Sequence, residues 1–424
     1  MLKKYFLITY GCQMNYSDSE RIATTLEKEK YKLASNIEKA DLIVVNMCSV
    51  RQSAVDRVYG KIKDFAKIKS KNLKLKTILT GCILKSDKRK FIKHFDYILD
   101  ITDLANWQKY LSSNYDDRSK LQKENYFEIE PNYLHFPIAY VPISNGCNNF
   151  CAYCVVPYTR DTEICRPAKD VIAEVKNLIK KEYKEIWLLG QNVNSYKSQT
   201  ITFLELLKKI NDIPGKFWIR FTSSHPKNFS NKLIEVISKS EKITPYLNLP
   251  IQSGDNEILE KMNRKYTVEY YLNLVKGLKK KIPDIALSTD IIVGFPGETK
   301  KQFKNTIKLF KKIKFDMAYI SQYSPRPMTS ALKMKDSVSK EDKKKREKIL
   351  TKILEKNNQR KNKKHIGQTI IVLAIKYKDD FLFGKSFHYK TVKFKGDKDL
   401  IGEFNQVKIT DAHPWGLKGK LLKK

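Results

Sequence analysis

Short apolar runs alternate with helical spacings along the first hundred residues of the chain. The apolar runs lie at residues 5–9, 42–45 and 76–80. Polar segments with helical spacing lie at residues 17–29 and 53–68. The run at 42–45 is apolar throughout, as in a parallel strand that is buried on both faces. This alternation predicts a doubly wound α/β domain at residues 1–118, and the polar stretch at 112–136 predicts a linker.

Six further apolar runs follow, with helical segments between them. The runs lie at residues 138–143, 185–189, 217–221, 245–249, 285–293 and 316–323. The helical patterns lie at residues 171–181, 203–210, 232–238, 268–280 and 301–313. Six successive strand–helix units predict a parallel sheet that curls into a partial (β/α)6 barrel, which we place at residues 133–363.

The pattern changes again near the C-terminus. A basic segment at residues 333–364 has helical spacing, and short strand-like runs follow at 369–373, 381–384, 391–394 and 406–409. These runs predict a small β-barrel at residues 365–424. Cations and aromatic rings mix in this region, which suits RNA phosphates and stacked bases. The residues concerned are Lys385, His388, Tyr389, Lys390, Lys393 and Phe394.

Charge and composition add a partner class. The 424 residues contain 82 Lys and Arg against 46 Asp and Glu, a net charge of +36, which favours a polyanionic partner such as nucleic acid. A lysine-rich composition alone would produce the same charge. The seven cysteines suggest no disulfide framework, and reduced thiols that ligate metal would imply a reducing cytosol, so we expect a cytoplasmic protein. The N-terminus does not resemble a secretory signal, and no stretch is long and apolar enough to span a membrane.

Cysteine spacing supplies the candidate chemistry. Cys147, Cys151 and Cys154 form a Cys-x3-Cys-x2-Cys pattern, and three such thiolates can hold three irons of a four-iron cluster and leave the fourth iron open. A zinc site with a distant fourth ligand and ordinary buried thiols are the alternatives.

A second set of cysteines lies in the N-terminal domain. Cys12, Cys48 and Cys82 each follow a predicted strand, and loops at the carboxyl ends of parallel strands share one crevice. We therefore expect a second three-cysteine cluster with an open iron, approached closely by the backbone at Gly11 and Gly81. Three buried core thiols are the alternative.

Five motifs along the chain are distinctive. They are Tyr10-Gly-Cys-Gln-Met-Asn15, Cys48-Ser-Val-Arg51, Gly146-Cys-Asn-Asn-Phe-Cys-Ala-Tyr-Cys-Val-Val-Pro-Tyr-Thr-Arg160, Gly190-Gln-Asn-Val-Asn-Ser-Tyr196 and Asp290-Ile-Ile-Val-Gly-Phe-Pro-Gly-Glu-Thr299. The Cys-x3-Cys-x2-Cys loop is similar to that of the radical S-adenosylmethionine (SAM) enzymes. The wider set resembles the methylthiotransferases, above all those that make 2-methylthio-N6-(dimethylallyl)adenosine in tRNA. Departures from the family pattern occur at Met47, Asp161, Thr162, Cys165 and Met328.

The resemblance implies a layout, cofactors and a reaction. The layout is an N-terminal methylthiotransferase domain, a radical SAM core and a TRAM-like RNA-binding barrel. The implied cofactors are SAM and two [4Fe-4S] clusters, on Cys12, Cys48 and Cys82 and on Cys147, Cys151 and Cys154. The implied reaction is methylthiolation at C2 of the adenosine next to the anticodon (position 37). One SAM would donate the methyl group and a second would yield the radical that removes hydrogen.

Polar loops after the core strands suit SAM, and Gln191 and Gln252 are the residues we expect to bind it. His225 is a candidate proton carrier or a structural histidine. Cys165 lies outside the Cys-x3-Cys-x2-Cys pattern and is interpreted as a packed or free thiol. We expect tRNA and a reducing electron donor as partners, no membrane, and a monomer.

Two alternatives remain open from the sequence. One is a sister methylthiotransferase that acts on threonylcarbamoyladenosine in tRNA or on a ribosomal protein. The other is a non-catalytic RNA-binding protein with structural metal.

Overall fold

The computed structural model describes residues 2–50, 52–111 and 126–422, which form two compact units. Unit 1 comprises Met1–Leu134, Asn145–Asn149 and Cys154–Ile164, and unit 2 comprises His135–Ser144, Phe150–Tyr153 and Cys165–Lys424. Residues 112–125 of the predicted linker at 112–136 lie outside the described residues. Beyond that point the linker includes a short 3-10 helix at Tyr126–Glu128. The three predicted domain boundaries stay predictions.

Unit 1 is built on a five-stranded parallel sheet. Its strands are β1 (Lys4–Tyr10), β2 (Lys32–Leu33), β3 (Leu42–Cys48), β4 (Lys76–Cys82) and β5 (Tyr97–Ile98). Its helices are α1 (Gln13–Lys28), α2 (Gln52–Lys71), α3 (Lys85–Phe91), α4 (Gln108–Leu111) and α5 (Val156–Thr159). The order is β2-β1-β3-β4-β5, so the three predicted strands are confirmed as the centre of the sheet. The two outer strands were not predicted, because two residues are too few to show a period.

Alternate residues of β3 pack into different cores, which shows that the central strand is covered on both faces. Leu42 and Val44 belong to a cluster with Ile22 and Leu26 of α1. Ile43, Val45 and Met47 belong to a second cluster, whose other members include Ala54, Val55, Val58 and Phe65 of α2. Because side chains alternate along a strand, an uninterrupted apolar run fills both cores, as the sequence predicted.

Unit 2 begins with six parallel strands separated by helices. The six strands are β6 (Ile138–Pro142), β9 (Glu185–Leu189), β12 (Trp218–Phe221), β13 (Tyr246–Asn248), β14 (Ala286–Val293) and β15 (Met317–Gln322). Four two-residue strands lie between them in the chain: β7 (Ser144–Asn145), β8 (Ile164–Cys165), β10 (Lys197–Ser198) and β11 (Ile201–Thr202). Its helices are α6 (Ala168–Lys180), α7 (Phe203–Asn211), α8 (Asn231–Lys239), α9 (Asn256–Lys261), α10 (Val268–Lys281), α11 (Lys300–Ile313) and α12 (Lys340–Lys363).

The six parallel strands lie side by side in chain order. They form two three-stranded parallel sheets, β6-β9-β12 and β13-β14-β15. Backbone bonds join the two sheets: Ile219 N–H donates to the Lys242 carbonyl, and Thr244 N–H donates to the Ile219 carbonyl. The predicted partial (β/α)6 barrel is thereby confirmed, with strand bounds within two residues of the predicted ones.

Hydroxyl side chains cap the N-termini of several of the core helices. Ser230 accepts from Leu233 N–H at the start of α8, and Thr267 accepts from Tyr270 N–H at the start of α10. Thr299 begins α11 in a capping box. These caps satisfy backbone donors that have no partner within the helix, and so they fix where each strand-to-helix loop ends.

The C-terminal region is a closed five-stranded barrel. Its strands are β16 (Thr369–Lys378), β17 (Phe381–Ser386), β18 (Thr391–Lys395), β19 (Phe404–His413) and β20 (Gly416–Leu421), in the closed order β16-β17-β18-β20-β19. Four strands were predicted and β20 was missed. Its two glycines and two lysines interrupt the apolar alternation that would have marked it.

Arg220 of β12 joins the barrel to the six-stranded core. Its guanidinium donates to the carbonyl oxygens of Ser386 (2.9 Å) and Phe387 (3.1 Å). It also forms an ion pair with Glu185 at 3.1 Å, and both side chains are fully buried. The Tyr389 ring lies 4.9 Å from the guanidinium carbon, so a segment of the barrel packs directly on core strands.

A second contact involves Asp316, immediately before β15. Its carboxylate accepts from Lys361 of α12 at 2.7 Å and from Lys390 at 3.0 Å. Burial raises the pKa of Asp316, but the two ammonium groups outweigh burial and hold that pKa below its ordinary value. Core, helix and barrel therefore share one buried carboxylate.

Much of the predicted RNA-contacting set has partners within the chain. Phe394 is 1% exposed in the barrel core, so the prediction that it stacks on RNA bases is wrong. Lys390 pairs with Asp316, and Lys393 lies 3.8 Å from the centre of the Phe381 ring. The remaining members, which also have partners within the chain, are Lys385, His388 and Tyr389. Among the described residues, no helix is both long and apolar enough to cross a membrane.

Candidate functional site

The three N-terminal cysteines lie together at one edge of the unit 1 sheet. Cys48 and Cys82 are the last residues of the adjacent strands β3 and β4 and are paired in register. Cys12 follows β1 and is the N-cap of α1. The Cys48 thiol donates a hydrogen bond to Cys82, which raises the pKa of Cys48 and lowers that of Cys82. Burial, followed by the charge of Cys82, raises the pKa of Cys12.

Asn15 holds this edge in place. Its Oδ1 accepts from the Cys12 backbone N–H at 3.1 Å and from Cys12 Sγ at 3.4 Å. Its Nδ2 donates to Asn46 Oδ1 at 3.0 Å and lies 3.9 Å from Cys82 Sγ. Asn15 and Asn46 are fully buried. Sequence reasoning assigned no role to Asn15, although the Tyr-Gly-Cys-Gln-Met-Asn motif contains it.

Two glycines allow this close packing. Gly81 has φ +107°, and a Cβ there would collide with the Met47 carbonyl oxygen. A Cβ at Gly11 would collide with the Asn15 side chain. Both glycines were predicted to permit a tight backbone, and both positions exclude a larger side chain.

Arg160 contacts the same edge from another segment of unit 1. Its Nε donates to Cys82 Sγ at 2.9 Å, and its Nη1 donates to Asn145 Oδ1 at 3.0 Å. Its Nη2 forms an ion pair with buried Asp18, which also accepts from the Tyr126 hydroxyl at 2.6 Å. Burial opposes the charge, but Asp18 holds the pKa of Arg160 above its ordinary value, so a cation lies against Cys82. Arg160 is the last residue of the Gly146–Arg160 motif, but its role could not be inferred from the sequence.

The Cys-x3-Cys-x2-Cys loop is divided between the units, with Cys147 and Cys154 in unit 1 and Cys151 in unit 2. In unit 1, Asn149 Nδ2 donates to Cys147 Sγ at 3.4 Å, and the Cys147 N–H donates to the Asp161 carbonyl at 3.2 Å. Both contacts fix the start of the loop.

Within unit 2, Arg264 donates from Nη1 to Cys151 Sγ at 3.5 Å. The backbone beside Cys151 is held on both sides: Ala152 N–H donates to the Met262 carbonyl at 3.0 Å, and the Ala152 carbonyl accepts from Ala331 N–H at 2.8 Å. This cysteine therefore lies on a fixed backbone next to a buried cation.

Residues 2–50, 52–111 and 126–422 contain no group of three or more His, Cys, Asp or Glu side chains that is arranged to hold a single metal ion. A four-iron cluster places each thiolate on a different iron, so its ligands need not converge on one point. Three thiols at one sheet edge, next to a cation and backbone N–H groups, are a donor set that fits such an anionic cluster.

Polar atoms without protein partners lie beyond the carboxyl ends of the core strands in unit 2. Gln191 Oε1 and Asn192 Oδ1 follow β9, and Ser224 Oγ follows β12, and each is buried without a hydrogen-bond partner. Buried polar atoms are normally paired, so these atoms fit a polar ligand such as SAM. Gln252 follows β13, the next strand after β12 in the barrel. It has φ +74°, and its backbone forms hydrogen bonds with Asp290 and Ile292 of β14.

His225 has a structural environment. Its backbone exchanges hydrogen bonds with the Asn194 side chain at 2.8 and 2.9 Å, and its Nδ1 accepts from Lys227 N–H. Burial, with Arg264 and Lys227 nearby, lowers the pKa of His225 to about 2. The imidazole therefore stays neutral at physiological pH, which favours the structural interpretation over the proton carrier.

Three family models match successive parts of the chain. An uncharacterized protein family, UPF0004, matches residues 4–101, the radical SAM superfamily matches 141–310, and the TRAM domain matches 363–422. The radical SAM match implies SAM and a [4Fe-4S] cluster.

Solved structures share the fold at low sequence identity. The radical SAM methyltransferase TsrM from Kitasatospora setae matches with a TM-score of 0.54 and 14% identity over 78% of this chain and 77% of that one. The cobalamin-dependent SAM radical enzyme OxsB matches with a TM-score of 0.54 and 13% identity over 84% of this chain and 55% of that one.

Sequence relatives match over nearly the whole chain. The tRNA-2-methylthio-N(6)-dimethylallyladenosine synthase of Clostridium botulinum (strain Langeland) is 42% identical over 98% of this chain and 96% of its own length. The synthase of Thermoanaerobacter pseudethanolicus is 40% identical over 99% of this chain and 92% of its own. Identity of this extent, together with the radical SAM core, shows that the chain is an enzyme of the tRNA-2-methylthio-N(6)-dimethylallyladenosine synthase family.

Proposed function

We propose that the chain methylthiolates C2 of N6-(dimethylallyl)adenosine next to the anticodon of tRNA, to give 2-methylthio-N6-(dimethylallyl)adenosine. The observation that carries this proposal is the pair of cysteine sets: three thiols at the carboxyl edge of the N-terminal sheet and three in the Cys-x3-Cys-x2-Cys loop. The relatives named above support the substrate, and the TRAM match supports tRNA as the partner.

The net reaction breaks one C–H bond and forms one C–S bond. One SAM transfers its methyl group to sulfide and leaves as S-adenosylhomocysteine. A second SAM takes one electron from an external reductant and is split into methionine and a 5′-deoxyadenosyl radical, which takes the hydrogen atom from C2 and becomes 5′-deoxyadenosine. Radical chemistry suits C2, because an unactivated aromatic C–H bond resists acid–base chemistry. With sulfur at the oxidation level of sulfide, the C2 radical and the methylthiolate would form the C–S bond, and the one electron released in this step would pass to the second iron–sulfur cluster.

Two sets of residues would hold the metal cofactors. Cys147, Cys151 and Cys154 would ligate the cluster at which SAM is cleaved. Cys12, Cys48 and Cys82 would ligate a second [4Fe-4S] cluster, which supplies the methylthio group when bound. The chain itself brings the thiols together and favours the thiolate of one of them: the hydrogen bond from Cys48 and the charge of Arg160 both lower the pKa of Cys82.

The core loops would bind SAM. Gln191 Oε1, Asn192 Oδ1 and Ser224 Oγ supply polar atoms without protein partners, which suit the ammonium and ribose hydroxyl donors of SAM. Gln252 stays a prediction from its place after β13. The adenine would enter as an unstacked loop base, since a base within a helix is hard to reach. A monomeric state and a cytoplasmic location stay predictions from the sequence.

The two cysteine sets can be separated in one assay. Purified protein is reconstituted anaerobically with iron and sulfide and supplied with reductant, SAM and tRNA that carries N6-(dimethylallyl)adenosine. We expect Cys151→Ala to abolish both 5′-deoxyadenosine formation and the methylthio product. Cys12→Ala should still cleave SAM but yield no methylthio nucleoside.

Cys165→Ala is the matched control, because Cys165 belongs to neither set, and it should form both products. Full methylthio product from Cys12→Ala would contradict the role of the N-terminal set. SAM cleavage that survives in Cys151→Ala would contradict the role of the loop.

A further inference from the structure

Each cysteine set has a buried arginine that donates to one of its sulfur atoms. Arg160 Nε lies 2.9 Å from Cys82 Sγ in unit 1, and Arg264 Nη1 lies 3.5 Å from Cys151 Sγ in unit 2. The two arginines are 3% and 7% exposed. Long cationic side chains are rarely buried to this degree without a specific partner, so the shared sulfur contact calls for an explanation.

Arg160 is held by groups that leave one donor directed at sulfur. Asp18 pairs with its terminal nitrogens, Asn145 Oδ1 accepts from Nη1, and the Tyr126 hydroxyl anchors Asp18 in turn. A structural ion pair would need the Asp18 contact alone. The Nε donor to Cys82 is additional, and Asp18 partly offsets the positive charge that the sulfur experiences.

Arg264 is held mainly by neutral oxygen atoms. Its Nε donates to the Tyr266 hydroxyl at 2.7 Å, and its Nη2 donates to the Pro250 carbonyl at 3.0 Å. The Tyr266 hydroxyl lies within 3.1 Å of the same carbonyl, which fixes the arrangement. These contacts orient Nη1 toward Cys151 without placing an anion on the donors that they use.

We infer that Arg160 and Arg264 are positioning residues that each raise the reduction potential of one iron–sulfur cluster by donating to a ligand sulfur. The inference rests on the proposed function, because it presupposes a cluster on each cysteine set. Reduction adds negative charge to a cluster, and a cationic N–H donor at a ligand sulfur stabilises the more negative state. Donors of this kind orient and tune metal ligands in many proteins.

The consequence is independent control of two clusters on one chain. Each arginine contacts the sulfur of one set, so each substitution should move one potential and leave the other unchanged. Arg264 should have the larger effect on its own cluster, because the Asp18 carboxylate offsets part of the charge of Arg160.

The test is a crossed redox titration on the full chain. Cys147, Cys151 and Cys154 are replaced by Ala in one background, which keeps the N-terminal cluster, and Cys12, Cys48 and Cys82 are replaced by Ala in the other. Arg160→Gln and Arg264→Gln are each made in both backgrounds. The midpoint potential is measured by EPR at set potentials after anaerobic reconstitution.

We expect Arg160→Gln to lower the potential of the N-terminal cluster and Arg264→Gln to lower that of the loop cluster. Arg264→Gln should decrease the equilibrium constant for reduction about tenfold, or about 59 mV for one electron, and Arg160→Gln should decrease that of its own cluster by a smaller factor. Neither should change the potential in the opposite background. Unchanged potentials, or equal shifts in both backgrounds, would overturn the inference.

Two further measurements keep the result decisive. Where a Gln variant does not retain iron, Arg160→Met or Arg264→Met, which also removes the cationic donor, is titrated instead, and a potential equal to that of the native arginine would overturn the inference. Iron analysis of the unsubstituted protein tests the proposed function separately. About four irons instead of about eight would contradict the two-cluster proposal, whereas about eight irons with unmoved potentials would overturn the arginine roles alone.

Discussion

At the scale of single residues, spacing in the sequence located the cysteines but not the side chains that form hydrogen bonds with them. A strand followed directly by cysteine can be recognised along the chain, and parallel strands bring their carboxyl ends together. Asn15 and Arg160 could not be assigned in this way. Their roles depend on Asn46, Asp18 and Cys82, which only the folded unit brings within hydrogen-bond distance of them.

Asn15→Ala should weaken the N-terminal cysteine site. The substitution removes the acceptor of the Cys12 N–H and leaves the buried Asn46 amide short of a partner, which costs about 1–3 kcal/mol of unfolding free energy. We expect a lower urea midpoint and loss of roughly half of the bound iron after anaerobic reconstitution.

The matched control is Asn36→Ala, at an exposed N-cap of the same unit. It should lose at most about 1 kcal/mol and no iron. Full iron retention in Asn15→Ala would mean that the asparagine does not support the cysteine site.

At the scale of secondary-structure elements, the strands of the (β/α)6 core and four of the five barrel strands were predictable, whereas the two-residue strands and β20 were not. All six core strands were recognised, because their apolar runs of five or more residues are distinct from the neighbouring helical patterns. β20 was missed because Gly416 and Gly419 place no side chain in the core, where Gly419 packs against Val407 and the Lys408 backbone instead. The contacts between barrel and core could not be predicted either, since they join residues far apart in the sequence: 74 positions for Asp316 and Lys390, and 167 for Arg220 and Phe387.

Arg220→Met should loosen the attachment of the barrel to the core. It leaves Glu185 as a buried, unpaired carboxylate and removes the donors to two barrel carbonyl groups, at a cost of about 3–5 kcal/mol. We expect a lower urea midpoint, together with faster hydrogen exchange in residues 386–389.

Lys281→Met tests whether charge removal alone explains such a change. Lys281 and Glu235 form an ion pair at 4.0 Å with both side chains more than half exposed. Its loss should change stability by less than about 1 kcal/mol. Equal destabilisation by the two substitutions would contradict the role given to the buried pair.

Lys385 in β17 should make stability depend on pH. Burial lowers its pKa to about 8 in the folded protein, against 10.5 as its ordinary value, so between these values the unfolded chain binds more protons. Its unfavourable contribution is therefore complete below pH 8 and disappears as the pH rises toward 10.5.

Urea unfolding at pH 7 and pH 10 checks this dependence. Lys385→Met should be more stable than the native protein at pH 7, by at most about 3 kcal/mol, and the advantage should shrink at pH 10. Exposed Lys352→Met serves as the control and should show little difference at either pH. An advantage of Lys385→Met that grows with pH would contradict the assignment.

At the scale of the whole molecule, the net charge of +36 fits a partner with a phosphate backbone. The sequence could predict this partner class, but it misplaced Phe394 within the proposed RNA surface, since facing the core or the solvent depends on the register of the closed barrel.

Binding of tRNA should therefore weaken steeply with salt. Each phosphate contact that Lys or Arg neutralises adds about −0.7 to −0.9 to the slope of log K against log salt concentration. With several such contacts, we expect the affinity for tRNA to fall at least tenfold between about 50 and about 200 mM salt. Filter binding over this range gives the slope, and a slope near zero would contradict recognition through phosphates.

Mass spectrometry of tRNA nucleosides from a strain that lacks this chain tests the proposed methylthiolation most directly. We predict loss of 2-methylthio-N6-(dimethylallyl)adenosine and accumulation of N6-(dimethylallyl)adenosine. The native gene should restore the methylthio nucleoside, and Cys12→Ala should not. Retention of 2-methylthio-N6-(dimethylallyl)adenosine in the deletion strain, or loss of a methylthio group from threonylcarbamoyladenosine instead, would contradict the account.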